Sequence, residues 1–177
     1  MKVFKLMLIL IVLGIGFTTT VIYSGIVNVA ADEPHGELVN WLLDETRQTS
    51  INKAAQHIAV PDLTNPDLLL LGAVDYEFMC ASCHLKSGQY ESDMSLGLYP
   101  APPNLTVATN VKVKSKPSDE IAIDRKNFWV IKHGIKASGM PAWGKTHDDQ
   151  RIWAMVAFIK QLPTLTPEQY QILTAIE

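Results

Sequence analysis

The sequence predicts an all-α fold, a set of helices joined by long ordered loops, behind a single N-terminal transmembrane helix. Three observations predict it. Apolar residues recur at helical spacing between recognisable caps, as in "HDDQRIWAMVAFIKQLP". Asn65-Pro66 and Thr166-Pro167 each place a cap residue before a proline at the first helical position. From Leu6 to Ala31 no residue is charged, an uncharged run of about 26 residues where a bilayer asks for about 20.

That first segment opens with Lys2 and Lys5. A cleaved signal peptide has a shorter apolar stretch, and Val29-Ala30-Ala31 would serve as its cleavage site. The length of the run favours a retained anchor. On either reading the lysines stay in the cytoplasm and the chain after Asp32 lies across the membrane. In a bacterium that places the folded domain in the periplasm, held to the cytoplasmic membrane by one span.

"DEPHG" breaks the run, and residues 37–58 read as a helix with Leu38, Trp41, Leu42, Ile51, Ala54, Ala55 and Ile58 as its apolar positions. Asn65 is the expected N-cap of a helix running from Pro66 at its first position to about Ala81. Gly72 weakens that helix unless another backbone must come close there. Residues 85–118 carry few regular signals, and Pro100, Pro102 and Pro103 exclude interior helix. A helix over 118–133 is expected, with Ser118 as cap and His133-Gly134 as its stop. The strong helix after His147 or Asp148 ends before Pro163, and Thr166-Pro167 starts a short last one. The chain divides into an anchor (1–31), a linker with a helix (32–60), a main domain (61–165) and a C-terminal helix (166–177). Loops as long as 85–118 are unusual in a small domain unless they wrap something.

Cys80 and Cys83, the only two cysteines, lie in "CASCH" with His84 next to them. Two thiols at that spacing can add to the two vinyl groups of one porphyrin, and the adjacent imidazole is then placed to bind the iron. A zinc site needs two further ligands, and His35, His57, His133 and His147 are scattered singly. A redox dithiol would sit in a βαβ setting, and the flanks here are helical. A short-loop disulfide remains chemically open in an oxidising compartment. Covalent haem attachment accounts best for the spacing.

A second axial ligand is expected in Met140, on the loop "SGMPAWG" between Gly139 and Pro141. A thioether is soft and neutral and favours ferrous iron. Met1 and Met7 belong to the anchor, Met79 adjoins Cys80, and Met155 falls on the apolar face of a helix. Met94 and His133 are the weaker rivals. The net charge of −3 gives no electrostatic footprint for nucleic acid.

In combination, Gly72, Tyr76, "CASCH", "PPNLT", "HGI…GMPAWG" and "IWAMVAF" resemble a class I c-type cytochrome, of the membrane-anchored monohaem type found in proteobacteria. The resemblance covers residues 60–165 and implies the class I cytochrome c fold, helices and loops round one haem c. It implies thioethers from Cys80 and Cys83, with His84 and Met140 as the iron ligands. It implies that Gly72 and Tyr76 pack against Met155 and Phe158 on the last helix. It implies a proline carbonyl, Pro102 or Pro103, on the free N–H of His84, and Trp143 packed on the haem edge or bonded to a propionate, with plain core filling as the alternative. Leu85 departs from the glycine common at its position.

With both axial positions filled, the resemblance implies one-electron transfer and no catalytic residue. The expected partners are a membrane or periplasmic oxidase, reductase or dehydrogenase. Lys112, Lys114, Lys116, Lys132, Lys136 and Lys145 form either a steering patch for an acidic partner or a solvated rim. The alternatives are a haem-bearing subunit of a larger redox enzyme, or a sensor or weak peroxidase with a labile methionine.

Overall fold

The computed structural model describes residues 1–107 and 117–175, and among them there is no β-strand. The chain divides into two units, Met1–Pro34 and His35–Glu177.

The first unit holds helix α1, Lys2–Ser24, which ends on Gly25 at φ 67°. At 1.5 Å per residue its 23 residues measure about 34 Å, enough to cross a hydrocarbon core of about 30 Å. By length and composition it is a candidate membrane span. Its threonines do not spoil it. Thr18 and Thr20 donate their hydroxyls to the carbonyls of Gly14 and Gly16 at 2.9 and 2.8 Å, so the helix satisfies them internally.

The second unit is built from seven helices among the described residues: α2 (Glu37–Ala55), α3 (Pro66–Met79), α4 (Ala81–His84), α5 (Asp93–Gly97), α6 (Pro117–His133), α7 (Asp149–Gln161) and α8 (Pro167–Thr174). Short 3-10 turns occupy Trp143–Lys145 and Leu162–Thr164.

The core is the crossing of α3 and α7. Ile152 through Ile159 are buried without a break, the pattern of a helix enclosed on all sides. Gly72 makes the crossing possible. A Cβ there would stand 2.0 Å from the carbonyl oxygen of Ala154 and 3.0 Å from the nitrogen of Met155, so only hydrogen fits. One turn on, Tyr76 meets Phe158 with ring centroids 5.2 Å apart, and Tyr170 of α8 completes the cluster at 6.3 and 6.0 Å from them. Phe128 of α6, stacked on Trp153 of α7 at 4.1 Å, joins α6 to this core. Such ring pairs add about 0.5–1.5 kcal/mol each to their area burial.

Charged groups at the edge of this core are paired. Asp75, 5% exposed, accepts from Arg151 Nε at 3.0 Å and from its terminal nitrogen at 2.5 Å. Asp124, equally buried, accepts from Lys160 at 2.7 Å. Each carboxylate would be costly to bury alone.

Caps follow the sequence closely. Asn65 accepts from the Asp67 nitrogen at 2.9 Å with Pro66 at the first position, Asp148 accepts from Arg151 nitrogen at 2.9 Å, and Thr166 and Gln169 form a capping box. Four expectations change. The helix expected to reach Ala81 ends at Met79, because Cys80 at φ −117° breaks it and α4 starts anew. The helix expected to reach residue 58 stops at Ala55. The helix expected from Ser118 already includes Pro117. The region 85–118 contains α5, closed by a capping box between Ser92 and Ser95. Lys112, Lys114 and Lys116 lie outside the described residues.

Candidate functional site

Cys80, Cys83 and His84 share one turn at the end of α3 and the start of α4. The His84 and Cys83 nitrogens both donate to the Cys80 carbonyl, at 2.8 and 3.1 Å. Both cysteines are free thiols, Cys80 buried and Cys83 half-buried. Burial, then the negative charge of nearby Asp75, pushes the Cys80 thiol up to about 12, so it is held protonated at neutral pH.

The ring of His84 is fixed. Its Nδ1 lies 2.8 Å from the carbonyl oxygen of Pro103. A carbonyl can only accept, so Nδ1 carries the proton and Nε2 is the nitrogen with a lone pair to give. Burial lowers the His84 pKa below the ordinary histidine value, against the opposing effect of the Pro103 bond. The neutral imidazole is the form that binds a metal. Of the two prolines weighed from the sequence, the carbonyl on His84 is that of Pro103.

The chain leaves α4 through Leu85, 3% exposed, at φ 73° and ψ 162°. That backbone region is almost the preserve of glycine. The Tyr76 hydroxyl donates to the Leu85 carbonyl at 2.8 Å and lies 3.2 Å from that of His84. Leu105 nitrogen donates to the His84 carbonyl at 3.2 Å. The turn is thus tied to α3 and to the 103–106 segment. That segment is itself set by Asn104, which accepts from the backbone and hydroxyl of Thr106 at 2.9 and 2.7 Å.

Met140 sits on the loop after α6. Ile135 nitrogen donates to the Met140 carbonyl at 3.1 Å, and Met140 nitrogen donates to Ser138 Oγ at 3.2 Å. Gly134 closes the loop at φ 64°, where a Cβ would be 2.7 Å from the Met140 carbonyl oxygen and 2.9 Å from Ala142 nitrogen. Gly139 rests on Leu98, 2.8 Å from where its Cβ would be. Met140 and Trp143 are partly buried against the core. Trp143 also meets His147 edge-on at 5.7 Å.

The remaining candidates have ordinary surroundings. Met155 is fully buried in the core, and Met94 is 51% exposed on α5. His133 packs against Trp129 at 5.0 Å, and His35 against Tyr99 at 5.1 Å. Lys132 pairs with Asp149 at 2.6 Å and lies over the Phe128 ring. No cluster of three or more metal-ligating His, Cys, Asp or Glu exists among the described residues.

The donor set suits a covalent haem. Two free thiols stand one turn apart, and the imidazole next to them has one nitrogen bonded and the other available. A thioether lies on a closed loop. The sequence reading had no means to find the roles of Leu98, Leu105 and the Tyr76 hydroxyl. Of the local signals, only the Asn104-x-Thr106 turn was open to reading.

An all-helical domain with Cys80, Cys83 and His84 on one turn fits a class I c-type cytochrome. The family model described as "Cytochrome C oxidase, cbb3-type, subunit III" matches residues 68–159, just over half of the chain. The chain belongs to that family, and such a domain carries covalently bound haem c with iron and works in haem-based electron transfer. Neither the curated proteins nor the solved structures contain a match.

Proposed function

We propose that the protein is a one-electron carrier in a membrane or periplasmic respiratory-type chain, with His84 and Met140 as axial ligands. The observation that supports it best is the bond between His84 Nδ1 and the Pro103 carbonyl. It fixes the tautomer, aims Nε2 and raises its basicity, as carbonyl partners do for metal-bound imidazoles. Haem iron, when bound, supplies a one-electron ferric–ferrous couple.

The residues divide the rest of the work. Cys80 and Cys83 would hold the haem through thioethers. His84 gives a strong neutral nitrogen that the Tyr76 and Leu105 bonds keep in place. Met140 gives a soft ligand from a loop whose ends are set by Gly134 and the 143–145 turn. Trp143 and the apolar residues round it exclude water. With His84 and Met140 both holding the iron, no place would be left for a substrate, and the activity would be transfer between partners rather than catalysis at the iron. Helix α1 anchors the domain at the cytoplasmic membrane with the haem domain in the periplasm. There it confines the search for a membrane or periplasmic oxidase, reductase or dehydrogenase.

A second reading, a haem-bearing subunit of a larger redox complex, is favoured by the family's description, which names an oxidase subunit.

A potentiometric titration of the protein purified from membranes tests the main reading. The expected result is one transition with the slope of a single electron, and no binding of carbon monoxide to the reduced form. Carbon monoxide binding at neutral pH would mean an open iron and would move a sensor or peroxidase to first place. Co-purification with an oxidase through mild detergent separates subunit from shuttle.

A further inference from the structure

Helix α2 is two helices in chemical character. Its second half is docked on the domain. Ile51 and Ala55 are buried, Gln48 accepts from Lys126 at 3.3 Å, and the Gln56 carbonyl accepts from Arg125 at 2.9 Å. Its first half is apolar and uncovered. Leu38 is 75% exposed, Trp41 60%, Leu42 55% and Leu43 53%. Five of the seven residues from Glu37 to Leu43 are Leu, Val or Trp. At 100° per residue, the polar Glu37, Asn40 and Asp44 share an arc of about 60°, and the apolar residues fill the remainder. An exposed apolar face of this size marks a surface that something covers.

The position in the chain says what. Helix α1 ends at Ser24, and residues 25–36 are all that separate it from α2. Those thirteen peptide units reach about 45 Å at full extension. If α1 is in the bilayer, the start of α2 stays within that reach of its surface. Trp settles at the headgroup level of a bilayer and leucine below it, which suits this apolar half-helix to lipid contact. The segment 37–46 carries Glu37, Asp44 and Glu45 and no basic residue, so apolar burial has to supply the attraction.

We propose that residues 37–43 lie in the bilayer interface as a lipid-docking half-helix. The proposal rests on α1 as an anchor. Because the second half of the same helix is fixed to α6, lipid contact at 37–43 would limit tumbling of the haem domain. It would hold the domain in a restricted orientation to membrane partners. Zwitterionic lipid suffices, and neither anionic lipid nor low salt strengthens the contact.

The test is photolabelling of the full-length holoprotein in phosphatidylcholine nanodiscs carrying a diazirine phospholipid, read by mass spectrometry. Labels on both 2–24 and 38–43 are expected. Leu38→Glu with Leu42→Glu is expected to bring labelling at 38–43 to background while 2–24 remains labelled and the haem spectrum is unchanged. Labels confined to 2–24 would overturn the docking and leave the anchor standing. Labels on neither would overturn both. Protection of 38–43 by a second copy or by a co-purified subunit, without lipid label, would assign the face to protein and overturn the proposal. If the double variant does not fold, labelling of the wild type at 38–43 as a function of added phosphatidylserine decides. A flat response supports the proposal, and a steep rise contradicts it.

Discussion

The turn that carries His84 and the loop that carries Met140 are held in different ways. His84 is tied at three points. Its ring bonds to Pro103, its nitrogen to Cys80 and its carbonyl to Leu105, while the Tyr76 hydroxyl holds the peptide that follows. Met140 is hydrogen-bonded through its backbone, to Ile135 and Ser138, and its side chain packs partly buried against the apolar core. One side is fixed by hydrogen bonds that converge on a helix end. The other is fixed by where a loop with two small hinges can lie. The lesson is that the proximal side should resist local change, and the distal side should follow the loop's backbone freedom.

The largest effect should come from beneath both. Gly72→Ala places a methyl group on the Ala154 carbonyl. The gain of about 1 kcal/mol in helix propensity is outweighed by overpacking against backbone, for a net loss of about 3 kcal/mol in denaturant unfolding. Neither ligand should be lost preferentially. A neutral result would mean the crossing is looser than described.

Gly134→Ala should break the comparison on one side. A φ of 64° and contacts under 3.0 Å to the Met140 loop make the expected cost about 2 kcal/mol. Loss of the methionine–iron charge-transfer band in mild denaturant, ahead of global unfolding, is the signature to look for. Equal loss of both ligands would erase the difference between the two sides.

Tyr76→Phe sharpens the other side. It deprives the Leu85 and His84 carbonyls of their buried donor and should cost about 1 kcal/mol. The methionine band should be unaffected. A loss above that of Gly134→Ala would show that the strained Leu85 turn depends on this hydroxyl more than on its neighbours.

The smallest effect concerns pH. Burial would raise the Glu77 carboxyl, but the bonds from Lys86 and Tyr170 outweigh it and hold its pKa below the ordinary 4.5. A lowered folded value adds stability above about pH 4.5, lost as pH falls through the folded pKa. Lys86 is nearly half exposed, which limits the gain to a few tenths of a kcal/mol. Glu77→Gln should therefore be slightly less stable than wild type at neutral pH and converge with it in acid. Parallel curves down to pH 3 would contradict this.

Much of the helical frame was legible because its signals are local. Asn65-Pro66, Asp148 and Thr166-Pro167 are caps whose chemistry is complete within one turn. Gly72 could be read as a close crossing because a mid-helix glycine otherwise costs stability. The cofactor was legible from five residues, since "CASCH" has few other chemical uses. What was missed depends on partners far apart in the chain. The choice between Pro102 and Pro103 turns on which carbonyl meets an imidazole some twenty residues away. Helix α5 was hidden because Ser95 stands where a capping box usually has Glu or Gln. The break at Cys80 follows from backbone geometry that no composition reveals. The uncovered half of α2 had the same apolar residues as a buried helix, so the sequence did not distinguish them.

The central claim is that the chain closes the iron with a nitrogen from His84 and a sulfur from Met140. The most direct test is the visible spectrum of the oxidised and reduced holoprotein, wild type beside Met140→Ala. The account predicts low-spin spectra in the wild type with a methionine–iron charge-transfer band in the oxidised form, and loss of that band with new carbon monoxide binding in the variant. A variant spectrum identical to wild type would show that another residue, Met94 or His133 foremost, holds the sixth position, and would contradict the site described above.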